Sequence, residues 1–299
     1  MRVLRLALCS LAIAVVWVAF SWRDTFDPES LSGARVLVTG ASTGIGEQVA
    51  YHYARFGAEV VLTARRASVL EKPSLSFSTP PGGREMFGDG CQKAFIFPAD
   101  MASPAEPEKL VHFALEKLGG LDYVVLNHIG WTPFTMWSGD VAHVRWLTEV
   151  NFLSYVAITS AALPALTESK GCIIVLSSLT GRIATPFTAS YSATKFALEG
   201  FFGSLRNELA MQRKDVCVTV CVLGLIDTES ALNKTRDVVD MKAAPVSETA
   251  LAIVKAGATR TMELFYPWTV QLLCLIRDWF PEQRDAIMRG FYHYHPPDA

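Results

Sequence analysis

Two side chains past the middle of the chain are spaced for proton transfer. Tyr191 and Lys195 stand four apart in the run YSATK, and residues four apart share one face of a helix. A phenol titrates near pH ~10 and is a poor proton donor or acceptor at neutral pH. A cation held beside it favours the phenolate and lowers that value, toward the range that acid–base catalysis needs. Ser178 precedes Tyr191 with twelve residues between them and adds a hydroxyl that can hold a substrate oxygen. Such pairs are common by chance, so the reading depends on the surrounding chain.

A second group of residues is suited to phosphate. Gly40, Ser42, Thr43, Gly44, Ile45 and Gly46 fall in TGASTGIG, after the apolar run Ala34–Thr39 and before helical spacing over Glu47–Phe56. Glycines let a backbone approach a pyrophosphate, and the helix start supplies amide donors. The next strand, Glu59–Thr63, ends in Ala64, Arg65 and Arg66. An acidic residue there would accept from a ribose 2′-hydroxyl, whereas arginine suits a 2′-phosphate. This favours NADP(H) over NAD. Asn127 follows a later strand, Asn151 lies in the helical stretch after it, and Ser178 follows the next strand. In a parallel sheet these strand ends form the ligand crevice.

The elements that must position these residues alternate. Further strands read at Lys93–Phe97, Asp122–Leu126, Cys172–Leu176, Val216–Val222 and Glu263–Tyr266, with helices over Pro104–Leu118, Val141–Leu166, Ser190–Met211 and Val246–Ala258. Continuous apolar strands fit a sheet covered on both faces. The predicted fold is α/β: one doubly wound (Rossmann) parallel sheet of about seven strands with helices on both faces, in a single domain over 34–267. The crossover between Arg66 and Lys93 is an exception. Pro73, Pro80, Pro81, Gly82, Gly83, Gly88 and Gly90 argue against a helix, and a partly disordered loop is expected over 67–92, the alternative being a non-standard splice form or gene model.

Composition narrows the function classes. Hydrophobic residues make up 51% of the 299, which excludes global disorder. With 27 basic and 29 acidic residues, nothing points to nucleic acid. The six cysteines form no C-x-x-C pair, and no cluster has metal spacing; no metal is expected. Cys172, Cys217 and Cys221 read as small buried hydrophobes. Arg2 and Arg5 precede the apolar run Leu6–Phe20. Residues 1–22 therefore read as a signal peptide or signal-anchor, with a linker over 23–33. The basic flank places the body in the lumen, so the protein is expected in the secretory pathway, secreted or in the endoplasmic reticulum lumen, or anchored there by this segment. Asn233-Lys234-Thr235 is a glycosylation sequon usable only there. Residues 268–299 read as an amphipathic extension. Within 264–280, aromatic and aliphatic residues suit a membrane interface, a dimer contact or a last core helix alike.

Together, the TGxxxGxG turn, the N-x-x-G segment from Asn127, Asn151, Ser178 and the Y-x-x-x-K pair resemble the short-chain dehydrogenase/reductase family over roughly Ala34–Tyr266. Within it, LNHI (126–129), VNFLSYV (150–156), YSATKFAL (191–198) and CVLGLIDTE (221–229) are similar to the hydroxysteroid dehydrogenases. The resemblance implies that Tyr191 moves a proton to or from the substrate oxygen. Lys195 would lower the tyrosine pKa and hold the nicotinamide ribose, Ser178 would bond the substrate oxygen, and Asn151 would hold a water leading to Lys195. The glycine turn, Arg65, Arg66, Asn127, His128 and Ile129 would bind the cofactor, Ile226 and Thr228 its carboxamide, and Asp100 and Met101 its adenine. It further implies a homodimer that interconverts a hydroxyl and a ketone on a small, steroid-like lipophilic substrate. The alternatives are a lumenal or secreted binding protein of little activity, or a carbonyl reductase for retinoid, bile acid or xenobiotic substrates. The chain departs from the group at Thr43, where a lysine is usual, at Thr185, where a larger aromatic stands, and over 66–93.

Overall fold

In the computed structural model, which describes residues 25–65 and 93–294, the apolar runs form seven strands. These are β1 (Arg35–Thr39), β2 (Glu59–Ala64), β3 (Ala94–Pro98), β4 (Tyr123–Leu126), β5 (Cys172–Leu176), β6 (Cys217–Leu223) and β7 (Glu263–Tyr266). They make one sheet in the order β3-β2-β1-β4-β5-β6-β7, and every pairing is parallel. The chain starts at the centre, winds outward through β2 and β3, then returns past β1 to build the other half. The winding reverses between β1 and β4, and the ligand crevice of such a sheet opens at that point, at the strand carboxyl ends. Thr39 and Gly40 end one side of it, and Asn127 ends the other. The doubly wound fold read from the sequence is the observed one.

The helices are α1 (Gly44–Arg55), α2 (Glu106–Leu118), α3 (Val141–Thr148), α4 (Ser154–Ser169), α5 (Ala189–Met211), α6 (Glu229–Thr235), α7 (Val246–Ala258), α8 (Thr269–Ile276) and α9 (Pro281–Gly290). Side chains on a strand alternate between faces, and the core divides accordingly. Val36, Val38, Cys172 and Ile174 pack with Val49 and Tyr53 of α1 and with Ile253 of α7. Leu37, Ile173 and Val175 pack on the other face, with Leu110 of α2, Ile158 of α4 and Phe202 of α5. Cys172, Cys217 and Cys221 are free and buried, as expected of small hydrophobes. The stretch 141–169 is long and apolar enough to cross a membrane. Here it is a core layer: Tyr155, Ile158, Ala162 and Leu166 are fully buried.

Three features differ from the sequence reading. The helix expected over Val141–Leu166 is interrupted by a π-helical turn, Glu149–Leu153. Helix α6 was not anticipated; its sequence ESALNKT carries no apolar period, and the Thr228 hydroxyl caps it by accepting from the Ala231 amide at 3.3 Å. The C-terminal extension is two helices rather than one element. The expectations for residues 1–22, for Arg66 and for the 67–92 loop lie outside the described residues.

Candidate active site

Tyr191 lies in the first turn of α5, and Lys195 lies one turn further on. The Lys195 ammonium is buried at 1% exposure, and its Nζ donates to the Leu176 carbonyl at the end of β5, 2.7 Å away. It sits 5.5 Å from the centroid of the Tyr191 ring and 5.7 Å from that of Tyr155. Ser178 follows β5 directly. Its Oγ accepts from the amide and hydroxyl of Thr180 at 3.2 and 3.1 Å. The end of β5 and the start of α5 thus bring together three residues read separately from the sequence.

Asn151 is positioned by the π-helical turn. The extra residue in such a turn re-aims side chains that a regular helix would direct elsewhere. Fully buried, Asn151 accepts from the Gly130 amide at 2.7 Å and donates to Thr194 Oγ1 at 3.2 Å. Thr194 in turn donates to the Tyr191 carbonyl at 2.8 Å. Asn151 therefore braces the loop after β4 against the first turn of α5.

Burial controls the titration of the pair. It raises Tyr191 to about 12, against a lowering hydrogen bond from Ser178. It lowers Lys195 to about 7, against the favourable charge of Glu199. Burial thus outweighs the lowering of the tyrosine pKa by lysine expected from the sequence. Nζ itself is held by the Leu176 carbonyl, 5.5 Å from the centre of the Tyr191 ring. Glu199 is held by Arg182, whose Nη2 lies 2.7 Å from Glu199 Oε2 and 2.7 Å from Glu263 Oε1.

The glycine turn lies across the crevice. Gly40 and Gly44 both have φ +65°, in the left-handed region that favours glycine. A Cβ on Gly46 would run into the Gly40 carbonyl and the Asn127 amide nitrogen, and one on Gly40 would sit 2.7 Å from His128 Cα. Asn127 Nδ2 donates to the carbonyls of Thr39 and Gly40 at 3.0 and 2.9 Å, clasping the turn to the loop after β4. Thr43 ends the turn in extended backbone, and its side chain makes no bond to the helix start. Ser42 is half-buried beside it. The tight turn leaves the first amides of α1 as donors, so these residues fit a dinucleotide phosphate.

The remaining expected residues separate. Ile45, Asn127, Ile129, Ile226 and Thr228 line one cavity with Ser178, Tyr191 and Lys195. Arg65 is exposed at the end of β2. Asp100, after β3, is exposed and accepts from the Ala102 amide at 3.1 Å. The Met101 side chain is in the core, so only its main chain can face an adenine. The His128 side chain is taken up by the scaffold. Its ring nitrogens lie 2.9 Å from Thr39 Oγ1 and 2.7 Å from Ser154 Oγ, and its carbonyl accepts from Tyr155 Oη at 2.8 Å. Burial, with the nearby charge of Lys195, lowers the imidazole to about 3 and keeps it neutral.

The cavity holds about 280 Å³, and its walls are mainly hydrocarbon. Sequence reasoning missed Phe134, Met241 and Tyr292 in that wall. Tyr292 comes from the C-terminal tail, whose position is set by a bridge between Val239 and Tyr292. Its ring meets those of Phe134 at 6.1 Å and Phe187 at 6.0 Å. The aromatic run FYHY was the available signal; it did not reveal that the tail folds back over the site.

A family model described as short chain dehydrogenase matches residues 34–238. A hydroxysteroid 11-beta-dehydrogenase 1-like protein of Gallus gallus is 57% identical over 290 residues, spanning 97% of this chain and 97% of the relative. The like-named protein of Danio rerio is 56% identical over 292 residues, 98% of each chain. Among solved structures, a short chain dehydrogenase from Burkholderia cenocepacia J2315 in complex with NADP superposes with a TM-score of 0.69 at 22% identity, covering 86% of this chain and 98% of that one. An alcohol dehydrogenase from the archaeon Thermococcus sibiricus, complexed with 5-hydroxy-NADP, gives 0.64 at 24% identity, covering 77% and 94%.

Proposed function

The chain belongs to the short-chain dehydrogenase family, and we propose that it uses NADP(H) to interconvert a hydroxyl and a ketone on a lipophilic, steroid-like substrate. One observation carries this reading: Ser178, Tyr191 and Lys195 share the wall of a largely apolar cavity that reaches the glycine turn through Ile45. The names of the curated relatives support the substrate class.

When bound, the nicotinamide supplies or accepts the hydride. The chain's own residues do the rest. The amides at the start of α1 would hold the pyrophosphate, and Arg65 the 2′-phosphate. Ser178 Oγ orients the substrate oxygen. Tyr191 Oη gives that oxygen its proton in reduction and takes it back in oxidation. The Lys195 ammonium stabilises negative charge as it develops on Oη. Excluding water from the apolar walls strengthens these interactions. A panel of steroid ketones offered with NADPH tests the reading: NADPH-dependent formation of a carbinol is expected, and its absence across the panel counts against it.

Two predictions follow from charge. Arg65→Glu is expected to weaken NADPH binding by about tenfold or more, while NADH binding is spared, because the lost partner is a 2′-phosphate. Titrating both cofactors against the variant checks this; equal effects on the two would contradict it. Glu199→Gln removes the charge that favours the Lys195 ammonium. Reductive activity should then decline at lower pH than in the wild type, as Lys195 deprotonates earlier. A kcat–pH profile of both proteins reads the shift, and a limb moving to higher pH would refute the role of Glu199.

The C-terminal helices also bear on substrate delivery. Trp268, Leu272, Leu275 and Trp279, in α8 and the residues flanking it, are 60%, 50%, 64% and 76% exposed. Such a group suits the interface of a membrane from which a lipophilic substrate enters. Flotation with neutral phospholipid vesicles should be lost in a Trp268→Glu, Trp279→Glu double variant; equal flotation of both proteins would rule this contact out.

A further inference from the structure

Helix α6 places a second lysine, Lys234, in the wall of the substrate cavity. Its Nζ lies 5.8 Å from the centroid of the Trp131 ring. An aromatic face holds a cation in place but does not neutralise it. Among the described residues lining the cavity, Lys195 and Lys234 are the charged side chains, and no carboxylate is present. The two lysines differ in their bonding. Lys195 is committed to the Leu176 carbonyl. Lys234 makes no ion pair with any described residue. Its charged sequence neighbours Glu229, Arg236 and Asp237 are exposed and do not line the cavity. Burial lowers the Lys234 pKa, with no opposing carboxylate. A half-buried ammonium against hydrocarbon walls is costly unless something of opposite charge meets it. The hydroxyl of Ser230 in the same wall can donate a further hydrogen bond to an anion.

We propose that the substrate is an anionic lipophile: it presents a hydroxyl or ketone to Tyr191 and a carboxylate or sulfate to Lys234. This rests on the oxidoreductase reading above and narrows its substrate class. Lys234 would thereby determine specificity, selecting acidic members of a hydrophobic series over their neutral counterparts.

The test is equilibrium binding by calorimetry, in the presence of saturating NADPH, which cannot accept a hydride from a hydroxysteroid. The probes are cholate, below its micellar concentration, and its methyl ester, which share a ring skeleton and differ in charge. The wild type is expected to prefer the acid by about tenfold or more, as for a charge-assisted hydrogen bond. Lys234→Met should bring the acid-to-ester ratio close to unity, and Lys234→Arg should restore it, which separates charge from folding. A ratio near unity in the wild type, a preference retained in Lys234→Met, or no binding of either compound overturns the proposal. A separate NADPH titration covers the other anion source. If Lys234→Met weakens NADPH binding and leaves the acid-to-ester ratio intact, the lysine serves a cofactor phosphate and the proposal fails. Binding and turnover are read independently. Acid preference without NADPH-dependent turnover would sink the oxidoreductase reading and leave an anion-selective cavity, whereas turnover without acid preference would do the reverse.

Discussion

Tyr191→Phe is expected to lower kcat by about 10²- to 10⁴-fold, the usual contribution of a positioned acid or base, with NADPH affinity preserved. The substitution removes one oxygen and keeps the ring. The ring lies against Lys195 Nζ, and the Tyr191 carbonyl anchors Thr194 and, through it, Asn151; these contacts do not need the hydroxyl. Burial holds the phenol at about 12, so Oη carries its proton at neutral pH and is ready to donate it to a ketone oxygen. NADPH fluorescence and stopped-time assays on the same preparation separate binding from chemistry. A variant that binds NADPH and turns over normally would remove Tyr191 from the mechanism.

The second large effect is expected at Gly46. In Gly46→Ala the new Cβ meets the Gly40 carbonyl and the Asn127 side-chain amide. Neither can move freely. Gly40 is fixed in a left-handed conformation, and Asn127 Nδ2 is spent on the Thr39 and Gly40 carbonyls. Overpacking of this kind costs about 1 to 3 kcal/mol or more, here in the turn that must also receive the phosphates. Both a lower melting temperature and a loss of NADPH binding are expected. Gly200→Ala is the control, because a Cβ there meets nothing within 4 Å and the position is inside α5, where alanine is favoured over glycine. Equal melting temperatures for the wild type and Gly46→Ala would contradict the clasp.

These predictions draw on features that were unequally visible in the sequence. The sheet was legible because buried parallel strands are continuous apolar runs, and β5 and β7 have the bounds read for them. The glycine turn and the Tyr191–Lys195 pair were legible because their chemistry requires fixed local spacing. Features set by contacts between distant segments were not. The π-helical turn at Asn151 exists where that side chain bridges Gly130 and Thr194, and a pattern of apolar residues cannot register it. His128 looked like part of the cofactor set; its neighbours Thr39 and Ser154 take up its side chain. Spacing placed Lys195 beside Tyr191, yet only the Leu176 carbonyl shows where its ammonium points. Lys234 was visible only as the middle of a sequon, because α6 had no sequence signal and the cavity it faces is lined by segments as distant as Thr132 and the tail residue Tyr292.

Hydride transfer from the cofactor to the substrate can be followed directly. The protein is incubated with NADPH deuterated at the transferable C4 position and a steroid ketone, and the product is analysed by mass spectrometry. A carbinol that carries the deuterium is expected, formed by the wild type and not by Tyr191→Phe. Bound NADPH with the ketone recovered unchanged, or a carbinol free of deuterium, would contradict hydride transfer from NADPH.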